Sequence, residues 1–280
     1  MTDPAEPIVL ITGATDGVGK VVATRLAASN ARVLVHGRNE EKGADTLRDI
    51  RREAGHARLE YYRADFASLD EVRRMAHDVT AAHDRLNLLI NNAGIGFGAP
   101  GAERETSRDG YELRFAVNYL APFLLTHLLL ATLRRSVPAR IVNVASLGQY
   151  RIDFDDVMLA RGYDGTRAYR QSKLALVMFT FDLAALLEGT GVTANAIHPA
   201  TFMNTRMVTE AGIQPRHTVE DGADAILHLA TASGLESTSG AFFDGMRESR
   251  ADPEAYQARA RQRLRTLSLE LAGVSADVAR

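Results

Sequence analysis

Tyr169 and Lys173 stand four residues apart in the run Tyr-Arg-Gln-Ser-Lys, which opens a helix-period stretch reaching residue 187. That spacing brings both side chains to one helical face, within reach of a common ligand. A free tyrosine ionises near ~10 and is a poor acid–base group at neutral pH. A neighbouring ammonium stabilises the phenolate and lowers that value, which opens proton exchange with an alcohol or carbonyl oxygen. The plainer alternative is a solvated tyrosine and lysine at a helix start. Ser146 weighs against it, because it closes the apolar run Ile141-Val142-Asn143-Val144-Ala145. In open α/β sheets ligands lie beyond the carboxyl ends of strands, so this hydroxyl is placed to donate to a substrate oxygen. Another apolar run ends in Asn91-Asn92-Ala93-Gly94, polar and small where a cofactor would cross.

The first apolar run leads into Thr12-Gly13-Ala14-Thr15-Asp16-Gly17-Val18-Gly19-Lys20 and then a helical stripe. Glycines in a strand-to-helix turn let backbone approach a pyrophosphate, and the helix N-terminus offers free N–H groups to it. The spacing Gly-x-x-x-Gly-x-Gly differs from the Gly-x-Gly-x-x-Gly of many dinucleotide folds. The second run ends in Gly37-Arg38-Asn39, where an NAD-specific site usually places a carboxylate. With no acid there and a guanidinium available for a 2′-phosphate, NADP(H) is expected over NAD(H). A surface arginine is the alternative reading of Arg38.

Positioning these groups requires regular elements. Strand-like runs at 8–12, 32–36, 58–63, 86–91, 140–145, 193–198 and 240–244 alternate with helix-period stretches. Val18, Val22 and Leu26 form one helical stripe; Leu69, Val72, Met75, Ala76 and Val79 form another. Ser68 with Glu71 reads as a capping box, and Thr218 with Asp221 repeats the signal before 225–231. Strands apolar on both faces, separated by helices, predict a single α/β domain: a doubly wound, Rossmann-type parallel sheet of about seven strands with helices on both faces. Residues 1–145 would form the dinucleotide-binding half and 146–280 the catalytic and substrate-binding half.

With 280 residues, 46% hydrophobic and 24% charged, the composition is that of a globular protein. A net charge of −2 provides no overall basic field, so nucleic acid is not an expected partner. Cysteine is absent, and the eight histidines show no His-Glu-x-x-His arrangement, so no metal site is expected. The N-terminus does not read as a secretory signal, and the apolar run 120–133 falls short of the ~20 residues that span a bilayer. A chain without a transmembrane segment, in the cytoplasm, is expected.

These motifs, taken in order, resemble the short-chain dehydrogenase/reductase superfamily from end to end. The resemblance rests on TGATDGVGK at 12–20, Asp65, NNAG at 91–94, Asn118 in DGYELRFAVN, Ser146, and YRQSK at 169–173. HGRNEEKG at 36–43 and AFFDGM at 241–246 resemble its retinol-dehydrogenase-like branch, which generally favours NADP. The resemblance implies that Tyr169 is the catalytic acid or base. Lys173 would lower its pKa and hold the nicotinamide ribose, and Ser146 would polarise the carbonyl. Asn118 would hold a water linking Lys173 to solvent. Gly13, Gly17 and Gly19, with Thr15, Asp16 and Val18 between them, would hold the pyrophosphate. Arg38 and Asn39 would take the 2′-phosphate side and Asp65 the adenine, with Phe66 beside it. Asn92, Ala93 and Gly94 would line the adenosine-ribose region, and Pro199, Phe202 and Thr205 would complete the cofactor contacts. The stretch His198-Pro199-Ala200 departs from the family's usual Pro-Gly, and the following threonine is displaced by one residue.

The resemblance thus implies an oxidoreductase interconverting a carbonyl and an alcohol. The 23-residue interval from Ser146 to Tyr169 holds Tyr150, Ile152, Phe154, Met158, Leu159 and Tyr163, an apolar set that with Phe202, Met203 and Met207 is expected to border a lipophilic substrate. Tyr256, Ala260, Leu264, Leu267 and Leu271 predict an amphipathic C-terminal helix capped by Asp252-Pro253, covering the cleft or a partner subunit. A homo-oligomer stays open. So do two rival functions: a non-redox dehydratase, epimerase or cyclase on the same scaffold, and a dinucleotide-binding regulator without catalysis.

Overall fold

The computed structural model describes residues 6–55, 58–99 and 101–275. Strands β1 (Ile8–Ile11), β2 (Arg32–Gly37), β3 (Arg58–Arg63), β4 (Leu88–Asn91), β5 (Ala139–Val144), β6 (Val192–His198) and β7 (Phe242–Asp244) run parallel. An eighth, β8 (Arg247–Ser249), pairs antiparallel with β7, and the sheet order is β3-β2-β1-β4-β5-β6-β7-β8. Seven strands were expected. The polar triplet Arg-Glu-Ser carries no hydrophobic alternation, and only the tight return of the chain after Asp244 pairs it.

Period-two alternation divides each strand between two cores. Leu10, Leu34, Leu89 and Ile141 enter the core covered by α3 (Leu69–Ala82), α4 (Leu113–Arg135) and α5 (Gly165–Leu186). Val9, Val33, Ile90 and Val142 enter the opposite core, covered by α1 (Gly17–Ala28), α2 (Glu40–Ala54) and, after the short α6 (Arg206–Glu210), by α7 (Val219–Thr231). Because β1 lies between β2 and β4, the chain winds outward in both directions from that point and leaves a crevice at the strands' carboxyl ends.

Helix α4 is 23 residues long, against the 14 of the predicted apolar run; it is long and apolar enough to cross a membrane, but 89% of its apolar window is buried inside the fold. Its second turn, Ala116–Leu120, is a π-helix, and that extra residue per turn carries Asn118. The capping box at Thr218 and Asp221 forms with both bonds. Ser68 accepts the Glu71 N–H at 3.4 Å, but the Glu71 carboxylate turns instead to the Asp65 N–H at 2.9 Å, so half of the predicted box is spent on the loop after β3.

The predicted single C-terminal helix is two elements. Asp252 caps a 3-10 turn, Pro253–Tyr256, and α8 (Ala258–Leu271) starts beyond Gln257, whose φ and ψ of −82° and 106° break the helical path. Leu264 and Ser268 are buried against α4 and α5, the Ser268 hydroxyl bonded to Tyr119 at 2.6 Å, and Arg261 pairs with Asp182 at 2.7 Å. Tyr256 lies outside the helix at 44% exposure. The helix thus sits on the outer face of α5, not over the cleft. Leu264→Ala should lower unfolding free energy by about 2–4 kcal/mol, read from denaturant midpoints. A loss under about 0.5 kcal/mol would show that α8 adds little to the core.

Candidate active site and dinucleotide cleft

The second turn of α5 presents Tyr169 beside the Ser146 hydroxyl, just beyond the end of β5. One helical turn on, the Lys173 ammonium lies 5.8 Å from the Tyr169 ring centre and donates to the Val144 carbonyl at 2.8 Å. The three predicted groups therefore converge. The expected electrostatics are only partly met. Burial pushes the Tyr169 phenol above its ordinary value, with the Ser146 bond opposing, and burial brings Lys173 down to about 8. In the protein alone the dominant effect is desolvation, which keeps Tyr169 protonated, and Lys173 is spent on a backbone carbonyl.

Asn118 accepts the Ile95 N–H at 2.8 Å and donates to the Ile95 carbonyl at 3.1 Å and the Ser172 hydroxyl at 3.0 Å. Its side chain is thus a brace between the loop after β4 and helix α5, next to Lys173. Gly94 lies between them: a Cβ there would stand 3.2 Å from Asn118 Oδ1 and 3.5 Å from Lys173 Nζ.

The glycine turn is held from the β4 side. The Asn92 amide donates to the Thr12 carbonyl at 2.8 Å and the Gly13 carbonyl at 3.1 Å, while the Thr12 hydroxyl accepts the Asn92 and Ala93 N–H groups at 3.0 Å each. Gly13 has φ +63°, and a Cβ on it would come within 2.7 Å of the Ala93 Cα. A Cβ on Gly19 would strike the Gly13 carbonyl, so both positions admit only hydrogen. Asp16 caps α1 through the Gly17 N–H at 2.8 Å and pairs with Lys42, whose hydrogen bond holds its carboxyl below the usual range. Thr15 packs on Gly37, and Val18 turns toward α7.

At the residues expected to meet adenine, Asp65 Oδ1 accepts the Ala67 N–H at 3.0 Å, and Arg108 lies 3.7 Å from Oδ2. The Phe66 ring is turned inward onto His36, centres 4.3 Å apart. Asn39 Oδ1 caps α2 through the Lys42 N–H at 2.8 Å. Arg38 is exposed and makes no hydrogen bond or ion pair among the described residues.

Phe202 takes φ +49°, a strained conformation for a bulky residue. Its carbonyl accepts the Arg216 N–H at 2.9 Å, and that arginine's guanidinium lies 5.6 Å over its ring. Behind this bend, buried Pro199 ends β6, and Thr205 returns to place its methyl 3.4 Å from a Cβ built on Gly17. Thr205 therefore does reach the glycine turn.

Several predicted substrate residues point elsewhere. Phe154 lies beneath the Arg263 guanidinium, 4.7 Å from its ring centre, on the side of α8. Met203 packs on Gly222 of α7. Ile152 and Leu159 are core, and the Met158 sulfur accepts the Glu112 N–H at 3.4 Å. Tyr163 bonds the buried Arg114 at 2.6 Å and Glu112 at 3.1 Å. The inserted segment is mostly a packed cap, because its apolar residues find partners on α4 and α8 before they reach the cleft. Tyr150, 45% exposed, and Leu147, 47% exposed, stay on its rim, and Met207 lies against Gly96.

Phe97 and Arg114 carry no motif and were missed. The Phe97 ring meets Tyr169 edge to face at 5.7 Å, and Arg114 fixes that loop through the Gly96 carbonyl at 2.9 Å. The C-terminal turn also reaches the site: Gln149 bonds the Ser146 carbonyl at 2.7 Å and the Asp252 N–H at 2.8 Å.

This arrangement has parallels among known proteins. The short chain dehydrogenase family model matches residues 7–215. Mouse retinol dehydrogenase 13 is 38% identical, spanning 95% of this chain and 84% of that protein; human retinol dehydrogenase 12 is 36% identical, spanning 95% and 86%. Among solved structures, the Pseudomonas aeruginosa RhlG/NADP active-site complex superposes with a TM-score of 0.70 at 28% identity, covering 86% of this chain and 95% of that one. An actinorhodin polyketide ketoreductase with NADPH gives 0.69 at 26% identity, covering 87% and 97%. The chain belongs to the short-chain dehydrogenase/reductase superfamily, in its retinol-dehydrogenase-like branch.

Proposed function

We propose that the protein is an NADP(H)-dependent oxidoreductase that interconverts a carbonyl and an alcohol on a lipophilic small molecule, with Tyr169 as acid and base. The observation that carries this reading is the adjacent Ser146 and Tyr169 side chains with Lys173 one turn beneath, at the carboxyl edge of the sheet. The residues present fit a dinucleotide: the turn is bare of side chains at Gly13, Gly17 and Gly19 and leads directly into the N-terminus of α1, whose free N–H groups suit a pyrophosphate.

Gly13, Gly17 and Gly19 would hold the pyrophosphate, Asp65 the adenine, and Lys173 the nicotinamide ribose. A bound nicotinamide supplies or accepts the hydride. Ser146 orients the substrate oxygen by donating a hydrogen bond. Tyr169 holds at Oη the proton that a carbonyl oxygen takes up on becoming an alcohol, and burial keeps that proton in place at neutral pH. The phenolate left behind is stabilised by Ser146 and by the Lys173 charge. Asn118 keeps the loop after β4 and helix α5 in register around them.

Preference for NADP(H) is supported by the exposed guanidinium of Arg38, which follows Gly37 where a carboxylate would otherwise repel a 2′-phosphate. The lipophilic substrate is supported by Phe97 against Tyr169, by Leu147 and Tyr150 on the rim, and by the name retinol dehydrogenase that the relatives carry.

Tyr169→Phe should cut carbonyl reduction by about a hundred- to ten-thousand-fold while NADPH still binds, measured by absorbance decay and fluorescence titration. Turnover at the wild-type level would remove Tyr169 from its role. Arg38→Ala should raise KM for NADPH about tenfold and leave KM for NADH unchanged; equal effects on both would show that Arg38 does not read the 2′-phosphate. Since burial brings Lys173 to about 8, its charge disappears as pH rises through that value, and kcat/KM for reduction should fall there. A profile flat to about pH 10, the range of an unperturbed lysine, would contradict the dependence on its ammonium.

A further inference from the structure

We propose that His36 is the positioning residue of the cofactor cleft, holding the glycine turn in its binding shape by bridging the backbone at the ends of β1 and β3. The proposal rests on the dinucleotide reading above. His36 is the last residue but one of β2, the strand between those two, and is 3% exposed.

Three hydrogen bonds define its role. Its Nδ1 accepts the Gly13 N–H at 3.1 Å, its Nε2 lies 3.0 Å from the Ala64 carbonyl, and its own carbonyl accepts the Ala14 N–H at 2.9 Å. Only the neutral ring with hydrogen on Nε2 satisfies both side-chain contacts. Burial favours that neutral form, against the opposing pull of the nearby Asp65 carboxylate and the Ala64 bond. The Phe66 ring, stacked at 4.3 Å and 20°, fixes the imidazole plane.

Both groups held by the ring belong to the cleft. Gly13, like Gly17, is a left-handed residue of the glycine turn and packs closely on Ala93, and Ala64 immediately precedes Asp65. The strand ladder uses only the backbone of position 36, paired to Tyr62 of β3. An apolar residue here would fill the space and keep the sheet, but leave the Gly13 N–H and the Ala64 carbonyl without their partner. Each would then seek another by local movement, and a dinucleotide would have to restore the shape on binding. A role limited to core packing would be met by any side chain of similar volume, and that difference is measurable.

The experiment compares His36→Leu, His36→Asn and His36→Gln with the wild type by NADPH fluorescence titration, steady-state kinetics and thermal melting. In His36→Leu, Kd and KM for NADPH should rise about tenfold, while kcat at saturating NADPH and KM for the carbonyl stay within about twofold. Asparagine places an oxygen where Nδ1 stands and keeps the Gly13 bond; glutamine reaches Ala64 but loses Gly13. NADPH should therefore bind more tightly to His36→Asn than to His36→Gln, and this comparison stands even if His36→Leu does not fold. Wild-type Kd in His36→Leu, glutamine equal to or better than asparagine, or losses shared equally by kcat and the carbonyl KM would overturn the proposal. A wild-type protein that binds neither NADPH nor NADH would bring down the dinucleotide reading itself, a result distinct from variants that bind as the wild type does.

Discussion

A parallel sheet ends all its strands at one edge, and the backbone N–H and C=O groups beyond that edge have no ladder to join. The cleft of this protein is built from side chains that answer that demand. Thr12 and Asn92 tie the end of β4 to the turn after β1, and Asn118 ties the loop beyond Gly94 to α5. The Thr12 and Asn92 bonds run sideways, between neighbouring strand ends, which leaves the floor of the crevice bare backbone and small residues. Gly13 and Gly19 follow from the same constraint, since a methyl at either would strike the backbone that these bonds draw close.

Tyr169 and Lys173 stand on this floor at an energetic cost. Lowering Lys173 from 10.5 to about 8 corresponds to roughly 3 kcal/mol against its charged form. A single hydrogen bond to the Val144 carbonyl returns about 1.5–3 kcal/mol at most. Burial is the cause of the Lys173 shift, and the same burial raises Tyr169. Pre-arranged, incompletely satisfied polar groups are what a site needs if their best partner is a charge that develops during reaction. Phe202 too is held in a strained left-handed backbone, three residues before Thr205, whose methyl lies against Gly17.

Legibility in the sequence divided along physical lines. The parallel strands could be read because most of them are apolar runs, although β3 carries Arg58, Glu60 and Arg63; Tyr169 with Lys173 and the glycine turn could be read because their spacings are local, and Ser146 because it follows an apolar strand. The eighth strand, Arg247–Ser249, could not, since its pairing comes from a reversal and not from its own pattern. Phe154 and Met203 were legible as apolar but not as to direction; Arg263 and Gly222, distant in sequence, decide where they point. Asp252 was legible as a cap, yet what it caps is a single 3-10 turn, because the chain must bend at Gln257 to lay α8 on α5. His36 was hidden inside a strand, where a polar residue gives no sign of which loop it serves.

The outer wall of the cleft obeys a different rule. Glu112 and Arg114, 3.5 Å apart, are 1% and 3% exposed, a placement that carries a desolvation penalty no exposed pair would bear. The penalty is offset only because every partner lies close: Tyr163 for both, the Gly96 carbonyl for Arg114, and the Phe115 N–H for Glu112 at 2.7 Å. These partners come from the loop after β4, the inserted segment and the start of α4, so the buried pair fixes three chain segments to one another. Phe97 follows Gly96 directly, and its edge against Tyr169 is set by that joint. The floor of the cleft is thus defined by backbone beyond the strand ends, whereas its wall depends on one buried ion pair, Glu112 with Arg114.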